Sequence, residues 1–332
     1  MKPPAKLYRY RPLSDESDLL ERELETLRQS YLYAPSFSQM NDPMEAFYTT
    51  GGPDDQIFDA LFSRAGLSTN VLHQPFKEMV SRFGLVSFSA SHLDLPMWAY
   101  YGSNFAGMCL EFDTENLTIG DFQGEHLVKV NYAESAAPPI TISGMLGGVE
   151  PLLISRLARK RIEWAHEKEW RYITGCVGRK HFLDDALTKV YLGPRVSDKH
   201  ADAVCQILKN RPVEVVKGEI LDFALHFHTL QQAAPLGACE RVGRGLFDPA
   251  NDLYPESELQ VFLEMNYVRL IDECRKTALR PNLEGIDVAG ISSDNSQLMY
   301  LTTRYKLRSG REVFHQRYFN KQFKPASPPR RG

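Results

Sequence analysis

The sequence of 332 residues lacks the short motifs of several common enzyme classes. It has no G-x-x-x-x-G-K-[ST] phosphate loop, no strand-linked G-x-G-x-x-G, no G-x-S-x-G nucleophile elbow and no H-E-x-x-H zinc helix. These absences argue against P-loop nucleotide enzymes, Rossmann-type dehydrogenases, α/β-hydrolases and zinc proteases.

Paired cysteines, a strong net charge and long apolar runs are missing too. The formal net charge is −3, so no global field draws the protein to nucleic acid or an anionic membrane. No stretch approaches the roughly 18 apolar residues that span a bilayer, and the N-terminus lacks a secretory signal. We therefore expect a soluble, cytoplasmic protein without a membrane partner, with five dispersed, reduced cysteines: Cys109, Cys176, Cys205, Cys239 and Cys274.

The secondary-structure pattern is mixed, without an internal repeat. Helical spacing of leucines predicts a helix over Asp15–Gln29, and further helices are predicted over 144–168, 197–209 and 256–279. Strand patterns occupy Lys6–Tyr10, Tyr31–Ala34, much of 84–113, 126–132 and a segment from Glu169. Together these elements predict the α+β class.

Two units are predicted along the chain. Residues 1–232 form the main domain, 233–245 a linker with Ala, Gly, Arg and Pro235, and 246–332 a small α+β domain. From Thr302 onward nine Lys or Arg face a single acid, with aromatic residues between them. Such a surface can bind nucleic acid, but a solvated strand face with a disordered tail is the interpretation that the pattern favours. The basic candidates are Arg304, Lys306, Arg308, Arg311 and Arg317.

Polar and aromatic residues concentrate at three separate places near predicted strands. A guanidinium can pair with phosphate, an aromatic ring can stack on a base and a carboxylate can bind a ribose hydroxyl. A dinucleotide site is therefore one interpretation, with binding candidates Arg9, Tyr10, Ser87, Ser89, Trp98 and Tyr100 and with acids Glu167 and Glu169.

Each candidate also has a structural interpretation. Arg9 can be a surface strand residue paired with a helix acid, and Trp98, Tyr100 and Tyr101 can belong to the core. Glu169 can be an exposed strand acid that pairs with Arg171.

Five segments in a fixed order carry a resemblance to a known family. They are LYRYRPL, YLYAPSFSQMNDPMEAF, LVSFSASHLDLPMWAYYGSNFAGMCLEFD, RIEWAHEKEWRYI and VYLGPRV. In this combination the chain resembles the bacterial domain of unknown function 2971 family over roughly Leu7 to Leu230. The C-terminal unit lies outside the resemblance.

The strand with Arg9, the serine strand followed by an aromatic helix, and the late strand with Glu169 also resemble ADP-ribosyltransferases. That similarity implies a split mixed or antiparallel sheet with flanking helices, NAD as substrate and no metal. Arg9 and Tyr10 would bind NAD, Ser87 and Ser89 would flank the nicotinamide, and Trp98 and Tyr100 would be aromatic contacts. Glu169 would bind the nicotinamide ribose, whereas Glu167 would take that role instead or activate an acceptor.

Three functions remain open. The first is an NAD-consuming ADP-ribosyltransferase or NAD glycohydrolase that modifies nucleic acid or protein, in a defence or toxin setting with an inhibitor or antitoxin partner. The second is a non-catalytic module that binds nucleic acid or protein through the basic C-terminal strands. The third is a metal-dependent nuclease that uses Asp42, Glu45, Glu167 and Glu169.

Overall fold

The computed structural model describes residues 2–15, 18–40, 42, 78, 80–141, 148–253 and 255–329. The fold is α+β, with a large mixed sheet and a second, four-stranded sheet near the C-terminus. In the part of the chain that the structure describes, no helix is both long enough and apolar enough to cross a membrane.

The strands of the large sheet are β1 (Lys6–Arg11), β3 (Gly84–Ser89), β4 (Met108–Asp113), β5 (His126–Lys129), β8 (Glu169–Thr174), β10 (Leu187–Leu192), β11 (Glu214–Leu221) and β12 (Ala224–Gln231). Their order in the sheet is β12-β11-β10-β4-β1-β3-β8-β5, in which β10 and β11 are parallel and the other neighbours antiparallel. Two small ribbons pair β2 (Tyr31–Ala34) with β9 (Gly178–His181), and β6 (Asn131–Ala133) with β7 (Arg159–Arg161).

Helices cover both faces of this sheet. On one face, α1 (Leu19–Arg28) and α5 (Asp198–Leu208) contribute Leu27 and Val204 to a core with Phe88 and Tyr172. On the other face lie α2 (Leu95–Tyr100), which supplies Trp98, and α4 (Val149–Leu157). A short helix, α3 (Thr114–Leu117), follows β4.

The C-terminal unit packs helices on one face of an antiparallel sheet. After α6 (Pro249–Asp252), α7 (Glu256–Leu263) and α8 (Tyr267–Ala278) bury apolar residues against β13 (Leu283–Ile291), β14 (Leu298–Lys306) and β15 (Glu312–Asn320), and β16 (Pro325–Ala326) completes the sheet. The predicted continuous helix over 256–279 is wrong, because Glu264 with φ 51° opens the short turn Glu264–Asn266.

The predicted helix over 144–168 is also only partly correct. Helix α4 ends at Leu157, and Arg159–Arg161 then form a strand beside β6. A 3₁₀ helix follows over Ile162–Glu167 and ends at Lys168, which has a left-handed φ of 48°. The charged run 159–168 therefore forms a strand followed by a tight turn rather than a continuous helix.

A buried ion-pair network joins the two units. Asp184, fully buried, accepts hydrogen bonds from Ser30 Oγ at 2.7 Å and from Arg308 at 3.0 Å (Nε) and 2.7 Å (Nη2), and Arg211 Nη2 lies 3.0 Å away. Although burial opposes the shift, Arg211 and Arg308 lower the pKa of Asp184. The predicted linker is hydrogen-bonded on both sides, from Glu240 N to Asn210 O and from Val242 N to Pro281 O.

Asp184→Asn should destabilise the protein strongly. It leaves Arg211 buried without its anion and leaves the partly buried Arg308 with the exposed Glu240, and loss of one partner of a buried ion pair typically costs about 3–5 kcal/mol. Urea unfolding measures the loss. Glu240→Gln, which removes an exposed partner of Arg308 at 3.4 Å, is the control and should cost less than about 1 kcal/mol. Equal effects of the two variants would contradict a structural role for Asp184.

Candidate functional site

A pocket of about 230 Å³ opens where β1 and β3 separate. β1 pairs with β4 along its length, and β3 does the same with β8, but β1 and β3, both fully described, pair at Tyr8 and Ser89 alone. The sheet is thus split between β1 and β3, its fifth and sixth strands in order. The pocket is lined by residues of both strands, together with Met97 and Tyr101 from the α2 region and with Lys160, Glu167 and Glu169.

Strand register places three polar side chains in one row. Tyr8 lies opposite Ser89, and Ser89 lies opposite Glu169, so the three share a face of the sheet. Two residues earlier on β3, and therefore on the same face, Ser87 lies opposite Arg171. Both serines line the pocket, and Ser89 Oγ accepts a hydrogen bond from Ser91 N at 3.1 Å. Tyr10, also in the lining, donates its hydroxyl to Ser91 O at 3.0 Å.

Arg9 spans the opening between the two strands. It follows Tyr8 and therefore starts on the opposite face, but its Nη1 reaches Ser87 O at 2.8 Å and it lines the pocket. Burial and the neighbouring Arg11 lower the pKa of Arg9 to about 9. Arg11 itself pairs with Glu23 of α1. A partly buried guanidinium therefore lies at the β1 side of the pocket.

Two carboxylates meet one buried lysine at the β8 side. Lys160 Nζ lies 2.6 Å from Glu167 Oε2 and 3.3 Å from Glu169 Oε2, and all three side chains are nearly inaccessible to solvent. Tyr101 donates its hydroxyl to Glu167 Oε1 at 2.8 Å. Glu167 and Glu169 do not lie on one strand: Glu167 ends the 3₁₀ helix, and the left-handed turn at Lys168 separates it from β8.

Arg171 holds Glu169 in place. Its Nε and Nη2 donate to Glu169 Oε1 at 3.0 and 2.6 Å, and its Nη1 donates to Leu157 O at 2.5 Å. The interpretation of Arg171 as a structural partner of Glu169 therefore agrees with the geometry. Glu169 N donates to the hydroxyl of Tyr132 at 2.8 Å, so its backbone is fixed as well.

The two carboxylates have opposite pKa shifts. For Glu169, burial favours the neutral acid, but Arg171 and Lys160 outweigh it and lower the pKa. For Glu167, burial is the largest cause and raises the pKa, against the opposing effect of Lys160. The environment of Glu169 thus favours its anionic form, whereas Glu167 is better suited to taking up and releasing a proton.

The shift of Glu167 gives a pH-dependent prediction. A carboxyl with a raised folded-state pKa contributes stability below its ordinary value of 4.5, and this contribution is lost as the pH rises. Relative to wild type, Glu167→Gln should therefore gain stability as the pH rises above about 4.5. Chemical unfolding across this range measures the difference. Glu163→Gln, an exposed change in the same 3₁₀ helix, is the control; a constant or opposite trend for Glu167→Gln would contradict the assignment.

Two aromatic candidates lie elsewhere. Trp98 is fully buried and donates Nε1 to His92 O at 2.8 Å, whereas Tyr100 is 68% exposed. Neither is among the described residues that line the pocket. The core interpretation is correct for Trp98, and it is Tyr101 that reaches the site. Asp94 caps α2 through Met97 N and so fixes the helix that ends beside Tyr101.

The basic C-terminal candidates are largely engaged with acids. Arg308 pairs with Asp184, Arg311 with Asp121, Arg317 with Glu273 at 2.5 Å, and Arg304 with Glu312 at 3.4 Å, while Lys306 lies opposite Glu312 in the sheet. Arg308 joins the two units and Arg317 packs against α8, so we assign both a structural role. Arg304 and Lys306, together with the half-exposed Phe314, remain on the open face of the sheet.

Among the residues that the structure describes, the acids predicted for a nuclease do not form a metal centre. Asp42 is buried, and Glu45 lies outside the described residues. Within the described ranges, no group of three or more His, Cys, Asp or Glu side chains is arranged to hold a metal ion.

One protein-family model matches part of the chain. Residues 97–172 match the model of the family described as Protein of unknown function (DUF2971). The predicted resemblance to this family is confirmed over that span, which contains Tyr101, Lys160, Glu167, Glu169 and Arg171. No curated protein and no solved structure matches the chain.

Proposed function

We propose that this protein is an NAD-consuming enzyme of the ADP-ribosyltransferase type, which transfers ADP-ribose to a macromolecule. One observation carries the proposal: Arg9, the two serines and Glu169 come from three neighbouring strands and line one pocket at a split in the sheet. The sequence resemblance assigns these same residues to NAD.

The pocket's size and charge suit the nicotinamide-ribose half of NAD. Its volume is below the roughly 300–1,000 Å³ of sites for drug-sized ligands, so a whole dinucleotide would extend beyond the described lining. Arg9, on the β1 side, would face the phosphates, because a guanidinium pairs well with phosphate oxygens. Ser87 and Ser89 would lie beside the nicotinamide, and the carboxylates beside the ribose.

Glu169 would supply a fixed negative charge. Positive charge develops on the ribose as nicotinamide leaves, and an anion held rigidly by Arg171 and Lys160 stabilises that charge without having to reorganise. Glu167, with its raised pKa and its hydrogen bond from Tyr101, would accept the proton from the attacking acceptor or from water. The two carboxylates, which both contact Lys160, would therefore have different roles in the reaction.

Nicotinamide release tests the proposal. Purified protein is incubated with NAD alone and with NAD plus DNA, RNA or a protein extract, and free nicotinamide is measured by chromatography. We expect release that depends on the protein and increases with the correct acceptor. Absence of release from folded protein in every mixture would overturn the proposal and favour a binding module.

A further inference from the structure

A second pocket lies beyond Lys160, on the side away from β1. It has a volume of about 240 Å³ and is bounded by residues 133–137, which begin with the last residue of β6, and by the three basic residues of β7. Lys160 lines both pockets, so β7 forms the wall between them.

The alternation of β7 distributes its three cations between the two pockets. The ammonium of Lys160 faces Glu167 and Glu169, so Arg159 and Arg161 start on the opposite face of the strand, where they line the second pocket. Arg159 Nη2 donates to Ser135 O at 2.7 Å, which orients its guanidinium, while Arg161 is 44% exposed and pairs with Glu163.

Three cations and one acid are among the described residues that line this pocket. After burial, the second cause that lowers the pKa of Arg156 is the charge of Arg159, so these two guanidinium groups repel each other. Glu134 is the acid among the described lining residues. Arg156 is not among the described lining residues, so a phosphate group in the pocket would bind through Arg159 and Arg161, because arginine binds phosphate with two parallel hydrogen bonds.

An aromatic ring lies beside Lys160, outside the described lining of the second pocket. Trp164, partly exposed in the 3₁₀ helix, has Lys160 Nζ 5.1 Å from its ring centroid. Cations that follow a phosphate backbone, combined with a ring on which a base can stack, are the usual elements of a single-strand binding site. A phosphorylated peptide would use the arginines but would have no base for the ring.

We infer that the second pocket binds the phosphodiester backbone of a single-stranded nucleic acid, with one base against Trp164, and thereby brings the acceptor to the carboxylates from the β7 side. The role of this nucleic acid as the ADP-ribose acceptor rests on the proposed function, whereas its binding to the second pocket does not. NAD phosphates would approach from the β1 side at Arg9, so the two substrates would enter from opposite sides of Lys160.

Fluorescence anisotropy with a labelled mixed-sequence oligonucleotide, as single-stranded DNA and as RNA, tests the inference on the full chain at several salt concentrations without NAD. Arg159→Gln/Arg161→Gln should weaken binding at least about tenfold and reduce the salt slope by about 1.4, since each single-strand phosphate contributes about 0.7. Trp164→Ala removes the aromatic ring but no charge, so it should weaken binding about tenfold and leave the salt slope unchanged. Arg304→Gln/Lys306→Gln removes the same charge from the C-terminal sheet and is the matched control.

Three outcomes would overturn the inference: no binding by wild type at low salt, loss confined to the Arg304→Gln/Lys306→Gln variant, or preference for a phosphopeptide over either oligonucleotide. The nicotinamide assay keeps the two proposals apart. Nicotinamide release without oligonucleotide binding removes the inference and leaves the proposed function. Binding that depends on Arg159 and Arg161 without nicotinamide release does the reverse.

Discussion

Glu169→Gln should reduce nicotinamide release about 10³-fold, which corresponds to about 4 kcal/mol of lost transition-state stabilisation. The carboxylate faces a developing positive charge, and a neutral amide of nearly the same shape removes that attraction while leaving the pocket's size unchanged. The measurement is the initial rate of nicotinamide release at saturating NAD, compared between variant and wild type.

Loss of the fold must be separated from loss of chemistry in this variant, since Glu169 also neutralises Arg171 and Lys160. A ligand that binds the folded state raises its stability by about 2.7 kcal/mol at 100 times its dissociation constant. NAD should therefore still raise the melting temperature of Glu169→Gln. A variant that NAD protects but that releases no nicotinamide has lost the chemical step.

Glu167→Gln and Glu163→Gln complete the series. Glu163 lies in the same 3₁₀ helix but pairs with Arg161 in solvent, so its variant should keep full activity. Full release by Glu169→Gln together with loss in Glu167→Gln would transfer the fixed-anion role to Glu167 and preserve the enzyme class. Full release by both variants would show that this carboxylate pair is not the active site.

Lys160→Met should destabilise the protein by about 3–5 kcal/mol at pH 8. The ammonium is buried between two carboxylates, and its removal leaves like charges close together in a region of low dielectric. The loss should be smaller at pH 5, because protonation of Glu167, whose pKa would rise further, removes the repulsion. Chemical unfolding at the two pH values measures both effects.

Two variants serve as controls for Lys160→Met. Lys160→Arg keeps the charge and should recover much of the stability at pH 8. Lys168→Met removes the same charge from an exposed position between the two acids and should change stability by less than about 0.5 kcal/mol. A similar loss from Lys160→Met at both pH values would mean that packing, rather than charge, explains the role of the lysine.

Local sequence determined many of the elements. The alternation in Gly84–Ser89 and Met108–Asp113 predicts strands that the structure contains, and leucine spacing predicts the helix found at Leu19–Arg28. Hydrogen bonds in a helix are local, and side-chain alternation in a strand has a fixed period of two, so both leave a pattern in a single sequence. The presence of Arg9, Ser87, Ser89 and Glu169 on or near strands followed from such patterns.

Tertiary structure alone decided what these residues contact. Lys160 lies in a stretch that resembles a helix, and no pattern indicates that it bridges Glu167 and Glu169; Tyr101 rather than Tyr100 reaches the site because α2 ends where it does. Arg308 and Arg317 belong to a basic, aromatic segment whose composition resembles a nucleic-acid-binding surface. In the structure, however, they pair with Asp184 and Glu273, which are distant in sequence. Contacts between residues far apart in sequence depend on the chain's path in space, which local periodicity does not encode.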